Sequence, residues 1–124
     1  MARILIMEDD KQVCSIFKRT MEDGGHEVKV ASDGKTGARM YGEEPADLII
    51  MDIIMPEQEG LETIMNLRRD YPDVKIIAIS GGGRISAGDY LKIARNLGAV
   101  VTIEKPIDPQ YLLDTVNKII EEKT

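Results

Sequence analysis

Leu48-Ile49-Ile50-Met51-Asp52 is a continuous apolar run that closes on an acid. A strand with one face in water alternates apolar and polar residues, whereas a strand covered on both faces reads as an unbroken apolar run. The apolar character resumes through Ile53, Ile54 and Met55 and stops at Pro56. Interrupted by an acid and ended by a proline, the stretch is too short to span a membrane. It therefore reads as an inner strand of a sheet with helices on either side.

The same signal recurs on both sides of it. Ile4-Leu5-Ile6-Met7, Ile76-Ile77-Ala78-Ile79 and Val100 to Ile103 are further apolar runs, and Val28 and Val30 alternate with charged residues as a half-exposed strand does. Between the runs the apolar spacing is helical. Val13, Ile16, Phe17 and Met21 form one stripe, ending at Gly24-Gly25; Asp33-Gly34 turns the chain into a second carrying Ala38, Met40 and Tyr41. Leu61, Ile64, Met65 and Leu67 form a third, closed by Tyr71-Pro72-Asp73. Tyr90, Leu91, Ile93, Ala94 and Leu97 form a fourth, and Pro109 opens a last helix with Leu112, Leu113, Val116, Ile119 and Ile120. Strands and helices in alternation give an α/β fold, a doubly wound (βα)5 parallel sheet with right-handed crossovers and the flavodoxin-like strand order 2-1-3-4-5.

The bulk properties agree with one such unit. A chain of 124 residues suffices for one core, and 43% hydrophobic with 31% charged residues is ordinary globular composition. No repeat or linker-like stretch divides it, so residues 1–124 read as a single domain. The apolar run near the N-terminus is too short for a signal peptide, which places the protein in the cytoplasm. Cys14 is alone and reads as inert packing, and His26 reads as an exposed residue between helix and strand. A net charge of −6 disfavours direct nucleic-acid binding by this domain.

In doubly wound sheets ligands sit beyond the carboxyl ends of the strands. Glu8-Asp9-Asp10 follow the first run, Asp52 the third, Ser80 the fourth and Lys105-Pro106 the fifth. Each has a plain reading: Asp10 as a helix N-cap, Glu8 and Asp9 as acids favouring a helix N-terminus, Ser80 as a strand-ending serine, Lys105 as a solvated charge. Asp52 is the sharpest, because an ionised acid ending an Ile- and Leu-rich strand needs compensation. Taken together, three carboxylates carrying about −3 repel one another, and a divalent cation relieves them. The oxygen donors suit Mg²⁺ better than zinc, which takes His or Cys. With Lys105 the rim comes close to neutral and can accept a phosphoryl group in line with Asp52, the nucleophile, to give an acyl phosphate. Ser80 is placed to donate a hydrogen bond to a phosphoryl oxygen.

Glu8-Asp9-Asp10, Asp52-Ile53-Ile54-Met55-Pro56, Glu59-Gly60, Ser80-Gly81 and Lys105-Pro106, in this order along the whole chain, resemble the receiver domains of two-component response regulators. The resemblance implies that Asp9 is a direct Mg²⁺ ligand, that Glu8 acts through water and that Ile54 adds its backbone carbonyl. Asp52 would be ligand and phosphoacceptor, with Ser80 and Lys105 on the phosphoryl group. The implied partners are a sensor histidine kinase or phosphotransfer protein and, downstream, a protein target or an output domain carried elsewhere in a longer chain. The domain would catalyse its own phosphorylation and dephosphorylation and no other reaction. The last two helices with strand five would be the output surface and a place for homodimer pairing. Many receivers carry an aromatic three positions before the strand-five lysine; here Thr102 stands there, and Gly82 and Gly83 suggest a loop rearrangement as the route of the signal.

Three rival readings compete. The Gly81-Gly82-Gly83 triplet lacks the Gly-Lys-Ser/Thr of a nucleotide loop. An aspartate-nucleophile phosphatase would want a second acid two residues beyond Asp52, where Ile54 stands. A phosphorylation-independent interaction module would not need the polar pocket residues, and all of them are present.

Overall fold

The structure is a computed structural model, and it describes residues 2–53, 59–80, 92, 94–96, 98–104 and 107–121. The strands are β1 (Arg3–Met7), β2 (Glu27–Ala31), β3 (Leu48–Asp52), β4 (Ile76–Ser80) and β5 (Val101–Glu104). The helices are α1 (Lys11–Asp23), α2 (Gly34–Glu43), α3 (Glu59–Asp70) and α5 (Pro109–Glu121), with residues 92 and 94–96 helical between β4 and β5, designated α4. All five strands are parallel, in the order β2-β1-β3-β4-β5. The fold is thus the doubly wound, flavodoxin-like sheet that the run pattern predicts.

Two-residue periodicity divides each inner strand between two cores. Leu5, Met7, Ile49, Met51, Ile76 and Ala78 face one side with Tyr41 of α2, Ile64 and Leu67 of α3 and Ala94 of α4. Ile4, Ile6, Leu48, Ile50, Ile77 and Ile79 face the other with Phe17 and Met21 of α1 and Leu112, Val116 and Ile119 of α5. This is why β3 and β4 have no polar position before their last residue. Each fully buried side chain of this size stabilises the fold by about 1.5–3 kcal/mol. The edge strand β2 buries little besides Ala31 and carries Glu27 and Lys29 outward, which blunts its free edge.

Local chemistry sets the joints. Asp10 caps α1, its Oδ1 accepting from the Gln12 and Val13 backbone N–H groups at 2.9 and 3.2 Å. Asp33 caps α2 through the Thr36 N–H at 2.7 Å, and these hydrogen bonds hold its carboxyl below the usual range. Beyond α1, Gly25 takes φ 90°, a conformation natural to glycine, and turns the chain into β2. Tyr41 and Tyr71 meet edge to face at 4.9 Å across the α2–α3 seam.

Several sequence expectations need correction. Ile16 and Met65, placed on apolar helix stripes, are exposed, because each helix buries only a narrow stripe against the sheet and these two stand at its margin. Strand β5 begins at Val101, leaving Val100 exposed before it. His26 is partly buried, not exposed: its Nδ1 accepts the Ala2 backbone N–H at 3.1 Å, which leaves the proton on Nε2 to donate to Asn117 Oδ1 at 2.8 Å. It thereby ties the start of β1 to α5. Cys14 packs half-buried on the α1–α5 core, and burial, then the nearby Glu8 charge, pushes its thiol up, in keeping with inert packing. The glycine triplet at 81–83, Tyr90, Leu91, Ile93 and Leu97 lie outside the described residues.

Candidate functional site

The register of β1 and β3 makes the site. Met7 lies opposite Met51, so the next residues, Glu8 and Asp52, leave the sheet side by side at its carboxyl edge. Pairing of β1 with β2 runs on to Glu8, whose N–H donates to Ala31 O at 3.0 Å, and Ile53 N–H donates to Ile79 O at 2.9 Å just past β3. The main chain at Glu8 is thereby tied to β2 and the main chain just after Asp52 to β4. Asp9 follows as the chain turns toward α1, and Asp10, engaged as its cap, takes no part in the cluster.

One carboxylate oxygen each from Glu8, Asp9 and Asp52 can be chosen so that all lie within 4.8 Å of one another. Glu8 and Asp52 are 4% and 6% exposed, and Asp9 is exposed. Two acids removed from water with a third at the mouth form an all-oxygen donor set, with one open side, of the kind that hard divalent cations take. The donors fit Mg²⁺: they contain no nitrogen or sulfur, and their summed charge calls for a cation.

Ser80 ends β4, the strand next to β3, with its Oγ fully buried and without a hydrogen-bond partner among the described residues. A buried hydroxyl is costly to leave unsatisfied, which makes Ser80 a polar group of note at this edge. Lys105 and Ile54, the remaining predicted site residues, lie outside the described residues. Thr102 stands half-buried opposite Ala78, on the α4 side of β5.

Two contributors carry no chemistry of their own and were not singled out from the sequence as site residues. Gly60 on α3 rests on the Ile53 backbone immediately after Asp52, and Thr63, one turn along α3, is buried against Gly34 of α2. Gly60 stood in the receiver-like pattern as Glu59-Gly60 without an assigned role, and for Thr63 the stripe Gly60, Thr63, Ile64, Leu67 at helical spacing was the available signal.

The sequence matches the family described as "Response regulator receiver domain" over residues 4–117. It is 30% identical to the response regulator receiver protein CpdR of Brucella abortus, over 96% of this chain and 94% of that one. It is 29% identical to the DNA-binding transcriptional regulator NtrC of Azospirillum brasilense over 99% of this chain, and spans only 25% of that protein. It spans about half of the transcriptional regulatory protein CpxR of Klebsiella pneumoniae. Among solved structures, a response regulator receiver domain protein from Clostridium thermocellum superposes with a TM-score of 0.89 at 28% identity, covering 99% of this chain and 97% of that one. Among the described residues, no helix is long and apolar enough to cross a membrane.

Proposed function

Because this chain belongs to the response-regulator receiver family of two-component signalling, we propose that it is a phosphorylation switch, with Asp52 as the phosphoacceptor and Mg²⁺ as the required cation. The observation that carries the reading is the convergence of Glu8, Asp9 and Asp52 at the end of β3, next to the strand that ends in Ser80, whose buried hydroxyl has no partner among the described residues. Residues 1–124 act as one receiver unit, in the cytoplasm, where the phosphodonors are.

When bound, Mg²⁺ supplies positive charge to the phosphoryl oxygens and offsets that of the acids. Asp9 and Asp52 would ligate it through carboxylate oxygens, Glu8 would support it through water, and Ile54 would add its backbone carbonyl. Asp52 attacks phosphorus in line. The new Asp52 O–P bond forms as the P–N bond of a phosphohistidine, or the P–O bond of a small acyl phosphate, breaks, and the imidazole or carboxylate leaves with the bonding pair. Ser80 donates its hydroxyl to one phosphoryl oxygen and Lys105 its ammonium to another, so the Ser80 hydroxyl gains an acceptor that the described residues do not offer it. Hydrolysis of the acyl phosphate resets the domain, and the only reaction it catalyses is on itself.

The phosphodonor is a sensor histidine kinase or phosphotransfer protein. The output is read on α4, β5 and α5, where Val100, Val101, Tyr111, Asp114 and Lys118 line an open groove of about 490 Å³ and Tyr111 is 56% exposed. A target protein, an attached output domain or a second copy of the chain docks there.

Incubation with Mg²⁺ and acetyl phosphate, read by intact mass, tests the proposal. One added phosphoryl group is expected on the wild type and none on Asp52→Asn or in excess chelator. An unmodified wild type would turn the reading toward a phosphorylation-independent interaction module.

A further inference from the structure

Six of the described glycines, Gly24, Gly34, Gly37, Gly42, Gly60 and Gly98, stand where a Cβ would come under 3.0 Å from a neighbour, and only at Gly60 is that neighbour backbone. A Cβ on Gly34 would lie 2.0 Å from Thr63 Oγ1, and one on Gly37 2.5 Å from the Met7 methyl, both side-chain atoms that can rotate away. A Cβ on Gly60 would lie 2.5 Å from Ile53 Cα, 2.8 Å from its carbonyl oxygen and 2.9 Å from its carbonyl carbon. All three are backbone, so no rotamer relieves them.

Ile53 cannot retreat. Its N–H donates to Ile79 O at 2.9 Å, and its side chain is 1% exposed in the core beneath α3. The main chain directly after Asp52 is thus clamped, with β4 on one side and the first turn of α3 on the other. We infer that Gly60 is a positioning residue for the acceptor site: its bare Cα lets α3 bear on the Ile53 main chain and hold the Asp52 carboxylate against Glu8 and Asp9. The inference rests on the phosphoacceptor reading for its function and on the carboxylate cluster for its geometry.

Restoring an ordinary contact around a Cβ at Gly60 needs a displacement of about 1 Å between α3 and Ile53, and a misplacement of that size can cost up to about a hundredfold in a positioned reaction. The shift reaches Asp52 through one peptide bond. Gly34→Ala presses on α3 one turn further along, through the Thr63 side chain, and meets none of the Ile53 backbone, so it loses stability without a direct collision behind Asp52.

The test compares wild type, Gly60→Ala and Gly34→Ala by thermal unfolding, by Mg²⁺ titration in calorimetry and by phosphoryl uptake from acetyl phosphate in intact mass. Gly60→Ala should bind Mg²⁺ about tenfold more weakly and take up phosphoryl at least about tenfold more slowly than Gly34→Ala. Equal Mg²⁺ affinity in the two variants overturns the inference. If wild type binds Mg²⁺ and Gly60→Ala weakens it, while neither is phosphorylated, the positioning role stands and the acceptor reading falls. Should Gly60→Ala fail to fold, hydrogen exchange on the wild type decides. Mg²⁺ should slow exchange of the Ile53 amide and shift the Gly60 amide resonance, and an unchanged pair overturns the inference.

Discussion

Replacing Ser80 by alanine should stabilise the resting protein and weaken its response to a phosphoryl group. The Ser80 Oγ is 0% exposed and has no partner among the described residues, so the fold bears the desolvation of a hydroxyl. That penalty is about 1–3 kcal/mol. Removing the oxygen leaves a void on the order of 10 Å³, and at about 24 cal/mol per Å³ of cavity this returns only a few tenths of a kcal/mol. The net gain is about 0.8–2.8 kcal/mol, or roughly 3–11 °C in Tm for a domain of this size. The assay is thermal unfolding with chelator, then with Mg²⁺ and beryllofluoride as phosphoryl mimic. Ser80→Ala should melt above the wild type in chelator and gain less than the wild type from the mimic, since it has no hydroxyl to donate. A variant that melts at or below the wild type in chelator would show that the hydroxyl is satisfied at rest, and the argument from its burial would fail.

Two further outcomes rest on groups away from the site. His26→Ala removes both the acceptor of the Ala2 N–H and the donor to Asn117, and should lower stability by roughly 1–2 kcal/mol, with faster hydrogen exchange at the Ala2 amide as the local reporter. The Asp33 carboxyl is held below its ordinary value of 3.8, first by the Thr36 backbone N–H and then by the Thr36 hydroxyl. A depressed folded-state pKa adds stability that is present above the unfolded value and lost as pH falls through the folded one. The Tm difference between wild type and Asp33→Asn, measured from pH 7 to pH 2, should therefore be positive at neutral pH and shrink below about pH 4.

The sheet order, the helices and the candidate carboxylates were legible in the sequence because each rests on local pattern. Unbroken apolar runs such as Leu48–Met51 can be satisfied only between two helical layers, and an acid ending such a run needs a purpose wherever it lies. Asp10 as a cap followed from its place before helical spacing, whereas Asp33, legible only as part of a turn, is the cap of α2 in the structure. Ile16, Met65 and His26 were misread because hydropathy tells which residues tolerate burial, whereas the width of the stripe a helix buries, and whether a loop histidine finds Ala2 and Asn117, depend on elements far away in the chain.

The sequence by itself determined the class of fold and the residue types at the strand ends. Only the tertiary structure decided which of them meet. The β1–β3 register set Glu8 beside Asp52, Asp10 was drawn off into its cap, and the Ser80 hydroxyl was buried with no partner among the described residues. It also decided that Gly60 matters for the backbone it lies against. Register and close approach are relations between distant segments, set by how α3 packs on the sheet, and one-dimensional spacing does not encode them.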